Sequence, residues 1–209
     1  MPKYTTIKHS CKCCGKPFEA KVLLGYYNDF CADLDTYPHN PAVYDNVVVC
    51  PSCGYAAENI KAEPDETAVK TVESGEYQKV FKDASLPETF KKQYLNALIH
   101  EACGEFPEAA LSYLRAFWAK RENEDFDGNT LTKVIDLLSD WIEKNANFTA
   151  AVILVDCARQ NSEFEYAEEV ISSVYGYIDD EYIKAVLNFE LELIKRRDNS
   201  PHSQSEVEK

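Results

Sequence analysis

The chain has 209 residues, 45% hydrophobic and 12% aromatic, which is enough apolar material for a folded core and excludes wholesale disorder. Its formal net charge of −14 is uneven: residues 1–60 hold five lysines against six acids, and the remainder carries 17 basic and 30 acidic residues. Nucleic-acid affinity rests on neutralising phosphates with Lys and Arg, so this balance argues against a phosphate-binding role for the long C-terminal part.

The N-terminus, Met1-Pro2-Lys3-Tyr4-Thr5-Thr6, shows no apolar signal region, and the longest apolar run, Phe148 to Val155, is far shorter than the roughly 20 residues a bilayer requires. A cytoplasmic protein is expected. In a reducing compartment the eight cysteines do not read as a disulfide framework.

Four of them are paired in spacing. Cys11 and Cys14 form one C-x₂-C, and Cys50 and Cys53, beginning 36 positions after Cys14, form another. Each pair places two thiolates on one tight turn, and two turns complete the four ligands of tetrahedral Zn²⁺. Gly15 and Gly54 follow the second cysteine of each pair, where a residue free to take positive φ lets backbone N–H groups turn toward the sulfurs. A structural Zn²⁺ held by Cys11, Cys14, Cys50 and Cys53 is therefore expected. Cys13, inside the first pair, reads as a spare thiol, the alternative being that it exchanges with Cys11.

In chain order, residues 1–60 read as a zinc-ribbon-like β module with strands at Phe18–Leu24 and Tyr44–Val49, joined by a loop from Asn28 to Pro41 rich in Asp, Asn and Pro. So small a module should draw much of its folding energy from the metal. Residues 61–85 form a transition in which Val69, Val72, Tyr77, Val80 and Phe81 suggest helix and Gly75 interrupts it. From there helical signals dominate. Ser85-Leu86-Pro87-Glu88 has the form of a capping box, followed by Phe90, Tyr94, Ala97, Leu98 and Ala102 at helical spacing. A second helix opens at Pro107, and a third carries the stripe Leu131, Val134, Ile135, Leu138, Ile142. A fourth, Ala150 to Arg159, is apolar nearly all round and should be buried; a fifth starts at a second box, Ser162-Glu163-Phe164-Glu165. The last runs from acid (Asp179, Asp180, Glu181) to base (Lys195, Arg196, Arg197), matching its dipole. The expected partition is thus a module at 1–60, a transition at 61–85, a helical domain at 86–198 and a frayed tail at 199–209. The fold class is α+β, mostly α, with about six antiparallel helices. Ala97, Ala109, Tyr113 and Ala116 fall at the small and aromatic positions of a tetratricopeptide repeat, without the proline that repeat carries at its end, where Arg121 stands.

Other residues read more plainly. Cys31 with Asp29, Asp33, Asp35 and His39 is either a turn-rich loop or a second site; His9 reads as a surface residue, and Cys103 and Cys157 as inert core thiols. His100 reads as partly exposed, and Trp118 and Trp141 as core packing. No phosphate-cradling glycine loop, nucleophile elbow or H-E-x-x-H pattern occurs.

The segments Asn40-Pro41-Ala42-Val43-Tyr44 and Val49-Cys50-Pro51-Ser52-Cys53-Gly54-Tyr55-Ala56, after an N-terminal C-x₂-C, resemble a bacterial domain-of-unknown-function family. Its members pair C-x₂-C with N-P-x-x-Y and C-P-x-C-G-Y-A and continue into tetratricopeptide-like helices. The resemblance covers about residues 8–58. It implies that Cys11, Cys14, Cys50 and Cys53 are the paired cysteines of a cytoplasmic bacterial protein, and it implies no activity. Two departures stand out: Cys13 within the first pair, and a loose fit from Asp29 to Tyr37.

Three functions compete. A closed four-thiolate shell and a repeat-like body favour a non-enzymatic module whose helical groove binds a protein or peptide, with basic partners preferred by the acidic surface. A thiol-based redox protein or enzyme would use the C-x₂-C pairs and Cys31 directly. A nucleic-acid-binding ribbon would use the N-terminal lysines.

Overall fold

The computed structural model describes residues 3–25, 45–121, 125–145, 147–202 and 206–207. The chain divides into two compact units, one taking in the described residues up to Asp127 and the other those from Gly128 onward. Among the described residues there are four strands and eight α-helices, so the fold is α+β and mostly α, as expected.

The first unit begins with a hairpin of β1 (Lys3–Ser10) and β2 (Pro17–Gly25), paired antiparallel from Ser10↔Pro17 outward. The first C-x₂-C occupies the turn between them. β1 carries no strong period-two pattern, its lysines and threonines facing solvent along most of its length, and the sequence reading missed it. β3 (Val48–Val49) and β4 (Ala56–Ala57) form a much smaller antiparallel pair around the second C-x₂-C. The strand expected from Tyr44 to Val49 is therefore only two residues long within the described chain, and most of the expected Asn28–Pro41 loop lies outside the described residues.

The expected transition segment is two helices. α1 (Glu66–Glu73) is capped by Asp65, whose carboxylate accepts from the Ala68 N–H at 2.6 Å, and α2 (Gly75–Lys82) is capped by the Ser74 hydroxyl. Ser74 closes one helix and starts the next, so Gly75 marks a boundary rather than a flaw in one helix. α3 (Glu88–Ala102) and α4 (Phe106–Arg121) then form an antiparallel hairpin: Lys120 sits over the Phe90 ring, the Asn96 amide donates to Ser112, and Tyr113 donates to Glu101. The capping box expected at Ser85 does not form. Pro87 is the N-cap with no side-chain bond, and the Ser85 hydroxyl donates instead to Asp83.

One apolar core runs beneath the second C-x₂-C and into the helices, built from Cys11, Val47, Cys50, Tyr55, Ile60, Val72, Tyr77 and Leu95 among others. This is why the expected division at residue 60 is not where the chain divides. The β segments are too small to bury their own apolar faces and share a core with α1, α2 and α3.

The second unit holds α5 (Gly128–Ile142), α6 (Phe148–Gln160), α7 (Phe164–Val174), a turn of 3₁₀ helix at Tyr175–Tyr177, and α8 (Glu181–Lys195). α6 is buried along most of its length, as its composition suggested, but its centre of gravity is polar. Arg159 is fully buried, with Nε bonded to Glu190 and Nη2 to Asp156, each at 2.7 Å, and Nη1 bonded to the carbonyls of Asp198 and Ser200. A buried guanidinium is tolerable because every face is answered by a charge or carbonyl. Those bonds also hold the segment after α8, and Val207 is buried against Val186, so the described part of the tail is not frayed. The second expected capping box fails as well: Glu163 is the N-cap of α7 without a side-chain bond, and Ser162 takes φ 66°.

Candidate metal centre

Two turns of the same construction carry the cysteines. In the first knuckle the Cys11 N–H donates to the Lys16 carbonyl at 3.0 Å and the Gly15 N–H to the Cys11 carbonyl at 2.8 Å. In the second the Cys50 N–H donates to Tyr55 and the Gly54 N–H to Cys50, both at 2.9 Å. Gly15 at φ 72° and Gly54 at φ 86° make the turn in the left-handed region that a side chain disfavours. The backbone then points N–H groups at sulfur: those of Cys13 and Cys14 at Cys11, that of Lys16 at Cys14, and that of Tyr55 at Cys53. The last two sit at the same offset in the two knuckles. This is the arrangement the glycines led us to expect.

The four sulfurs converge. Cys11 Sγ lies 3.7 Å from Cys53 Sγ, Cys14 Sγ lies 3.8 Å from Cys50 Sγ, and all four lie within 4.8 Å of one another. Zinc–sulfur bonds of about 2.3 Å set the edge of a regular tetrahedron at about 3.8 Å, so these two separations match a tetrathiolate shell. The four are free thiols, with Cys11 and Cys50 fully buried and Cys14 and Cys53 partly exposed. They are close enough to bind a metal ion, and the donor set is compatible with zinc. Cys13 lies outside this set and packs against the surrounding core.

Burial raises the Cys11 thiol to about 11 and pushes Cys53 up as well. Burial acts on Cys14 in the same direction, but the Lys16 N–H and the neighbouring thiols outweigh it and bring that thiol below its ordinary value. Tyr55, buried beside the cluster, is raised to about 12 by burial and then by the charge of Cys13 and Cys11. Sulfurs so disfavoured as thiolates need a cation beside them to ionise, which is what a metal supplies.

The surroundings of the knuckles differ. Over the second, the Tyr77 hydroxyl donates to the Gly54 carbonyl at 2.8 Å, and the Gln78 amide donates to the Cys53 carbonyl at 2.9 Å and to the Val72 carbonyl at 2.8 Å. The Phe81 ring lies against Gly54 so closely that a Cβ there would stand 2.7 Å from it. A Cβ at Gly15 would meet nothing within 4 Å. The first knuckle is held by its hairpin, by Cys11 buried in the shared core, and by Lys12, which pairs with Glu63 at 2.6 Å. None of α2's contacts with the second knuckle was foreseen. The only signal for them was the apolar pair Val80 and Phe81 at the end of a segment read as transition.

His9 is buried rather than on the surface: it stacks on Phe18 at 5.5 Å, and neither ring nitrogen has a hydrogen-bond partner among the described residues. Burial, then the charge of Lys61, lowers its pKa. The N-terminal lysines are partly engaged: Lys8 pairs with Glu19, Lys12 with Glu63, and Lys21 lies over the Tyr4 ring. Cys157 is a core thiol as expected, and Trp118 is core. Cys103 is only partly buried, 3.6 Å from the Asp65 carboxylate, and burial with that charge raises its thiol to about 11. His100, half-buried, meets Glu105 at 2.5 Å. Cys31, Asp29, Asp33, Asp35, His39 and the N-P-x-x-Y segment lie outside the described residues. Among the described residues no helix is long and apolar enough to cross a membrane.

No family model matches the chain, and comparison with curated proteins and with solved structures finds no match either.

Proposed function

We propose that this chain is a non-enzymatic protein-interaction module whose N-terminal unit is fixed by one structural Zn²⁺ on Cys11, Cys14, Cys50 and Cys53. The observation that carries the reading is the convergence of four sulfurs at tetrahedral spacing from two turns of equal construction. Four thiolates fill the coordination shell of zinc and leave no position open for a reacting water, so the metal's role is to join the two turns. The four cysteines hold the ion; Gly15 and Gly54 let the turns form; the backbone N–H groups directed at the sulfurs share the charge of the shell. A reducing compartment such as the cytoplasm suits thiols that must stay free for metal. The acidic balance of the chain directs it toward basic protein partners rather than nucleic acid.

The test combines metal analysis, thiol labelling and cross-linked capture from a lysate of the cells that make the protein. About one zinc per chain is expected, with the four knuckle thiols resisting alkylation until a chelator is added. Specific polypeptides should be captured by the intact protein. Metal-free protein with rapidly alkylated pairs would move the reading to thiol chemistry, and capture of nothing at all would remove the interaction role.

A further inference from the structure

The second unit contains a groove of about 680 Å³ between the end of α5, the start of α6 and the outer face of α7. Its walls are mainly apolar, with Ile142, Phe148, Val170 and Val174 contributing, and Tyr177 at one end is three-quarters exposed. The polar atoms among them are nearly all spoken for. Ser139 Oγ donates to the Ile135 carbonyl and meets the Tyr166 hydroxyl at 2.5 Å; Ser173 Oγ donates to the Val170 carbonyl; the Asn147 side chain caps α6. What is left to meet a ligand is apolar surface and two exposed carboxylates, Glu143 and Glu169. Neither has an ion-pair partner among the described residues, and no Lys or Arg is among the described residues that line the groove.

The acidic surface does not stop at the groove. A shallow depression that shares Glu169 and Ser173 with it continues along α7 past Glu168 to Glu165. Arg197 answers Glu165 at 2.8 Å, while Glu168, like Glu169, has no ion-pair partner among the described residues. A small amine would touch one carboxylate and leave the others in water. A polypeptide segment could follow the acidic face for a turn or more while inserting apolar side chains between α5, α6 and α7.

We propose that this groove docks a lysine- or arginine-rich polypeptide segment that carries large apolar side chains as anchors, the apolar groups seated on Val170 and Val174 and the cations on Glu143, Glu169 and Glu168. The inference rests on the interaction role proposed above and gives it a site and a partner chemistry. The apolar floor supplies affinity by area removed from water, and the carboxylates select sign of charge and speed encounter.

The experiment uses the full, metal-loaded chain and three dye-labelled peptides read by fluorescence anisotropy. One has leucines at helical spacing with lysines between; the second keeps the leucines and replaces lysine by glutamate; the third keeps the lysines and replaces leucine by serine. Only the first should bind with appreciable affinity, and added salt should weaken it. The double variant Glu143→Lys/Glu169→Lys changes exposed positions, so helical circular dichroism and melting should stay as in the parent, while affinity for the first peptide falls about tenfold. Equal binding of the glutamate peptide, unchanged binding by the double variant, or binding of none of the three overturns the proposal. So does a self-association, seen by sedimentation, that fills the groove. If the parent and the double variant capture the same polypeptides in the cross-linking experiment, the groove is wrong and the interaction role stands; if the parent captures none, the role itself fails.

Discussion

The two cysteine knuckles have the same backbone bonds and unlike surroundings. The second is clasped by α2 through Tyr77, Gln78 and Phe81, and its cysteine Cys50 belongs to the core that continues into α1 and α3. The first stands at the tip of a two-stranded hairpin; Cys11 is buried in the same core, but there is open space over Gly15, no helix clasps the turn among the described residues, and its polar tie to the rest of the unit is the exposed ion pair Lys12–Glu63. An isolated hairpin is marginal in water, and an exposed ion pair contributes about 0–1 kcal/mol. With the proposed zinc bound, one site would join an arm clasped by a helix to an arm that has fewer contacts of its own.

The largest expected effect comes from taking the proposed zinc away. A structural zinc contributes on the order of 10 kcal/mol, far more than the contacts of the first arm can replace. Chelation should release the amides of Cys11, Gly15 and the β1–β2 ladder to hydrogen exchange, while those of Cys50 and Gly54 keep protection about tenfold or more above them. Equal loss of protection in both knuckles would show that α2 adds nothing to the second.

Next comes a pair of alanine substitutions at matching glycines. Gly15→Ala meets only the left-handed backbone penalty, about 1–2 kcal/mol. Gly54→Ala meets the same penalty and also drives its Cβ to 2.7 Å from Phe81 Cγ, an atom at the root of the ring that cannot swing aside cheaply. Overpacking of that kind costs about 1–3 kcal/mol more. Denaturant unfolding of the zinc-loaded variants should therefore rank Gly54→Ala well below Gly15→Ala. In a Phe81→Ala background the two should fall into line, since only the clash distinguishes them.

How far this asymmetry could be read from the chain depends on which physics carries it. The clustering of the four cysteines was legible because C-x₂-C-G turns are local and two such pairs suit one tetrahedral ion. The helices from Glu88 onward were legible from period and composition. Both expected capping boxes failed: Ser85 donates to Asp83, and Ser162 takes positive φ and accepts from the distant Asn199, alternatives that a motif four residues long does not see. β1 was missed because a hairpin that faces water on most of its length needs no apolar alternation. His9 was misplaced for a related reason: its burial comes from Phe18 across the hairpin, a neighbour that only the β1–β2 register reveals. The clasp of α2 over Gly54 was invisible for the same cause, being a contact between residues far apart in sequence. Arg159 could be taken for a helix-end cation, yet it is a large side chain with no exposure at all, and nothing in Ala150–Arg159 announces Glu190 or the Asp198 carbonyl as its partners.

The smallest effect concerns the other tie between the two arms. Tyr4, in the strand that leads to the first knuckle, donates its hydroxyl at 2.6 Å to Asp45, which lies just before the strand that leads to the second. That bond, then burial, then the charge of Asp45 raise the phenol from its ordinary value of 10 to about 12. A folded-state pKa above the unfolded one means that the neutral form is favoured by folding. The contribution is whole below pH 10, where both states hold the proton, and fades as pH rises from 10 to 12, because the unfolded chain ionises first. Tyr4→Phe should thus be less stable than the parent at neutral pH, with the gap shrinking through that window. The size stays within the range of a single partly solvated hydrogen bond, about 0.5–1.5 kcal/mol or less. Nuclear magnetic resonance of ring-labelled tyrosine should find Tyr4 titrating near 12, and Asp45→Asn should bring it back toward 10. A Tyr4 that titrates near 10 in the parent would mean the hairpin is not tied at Asp45, leaving the core around Cys11, the Lys12–Glu63 pair and the proposed zinc as the links between the arms.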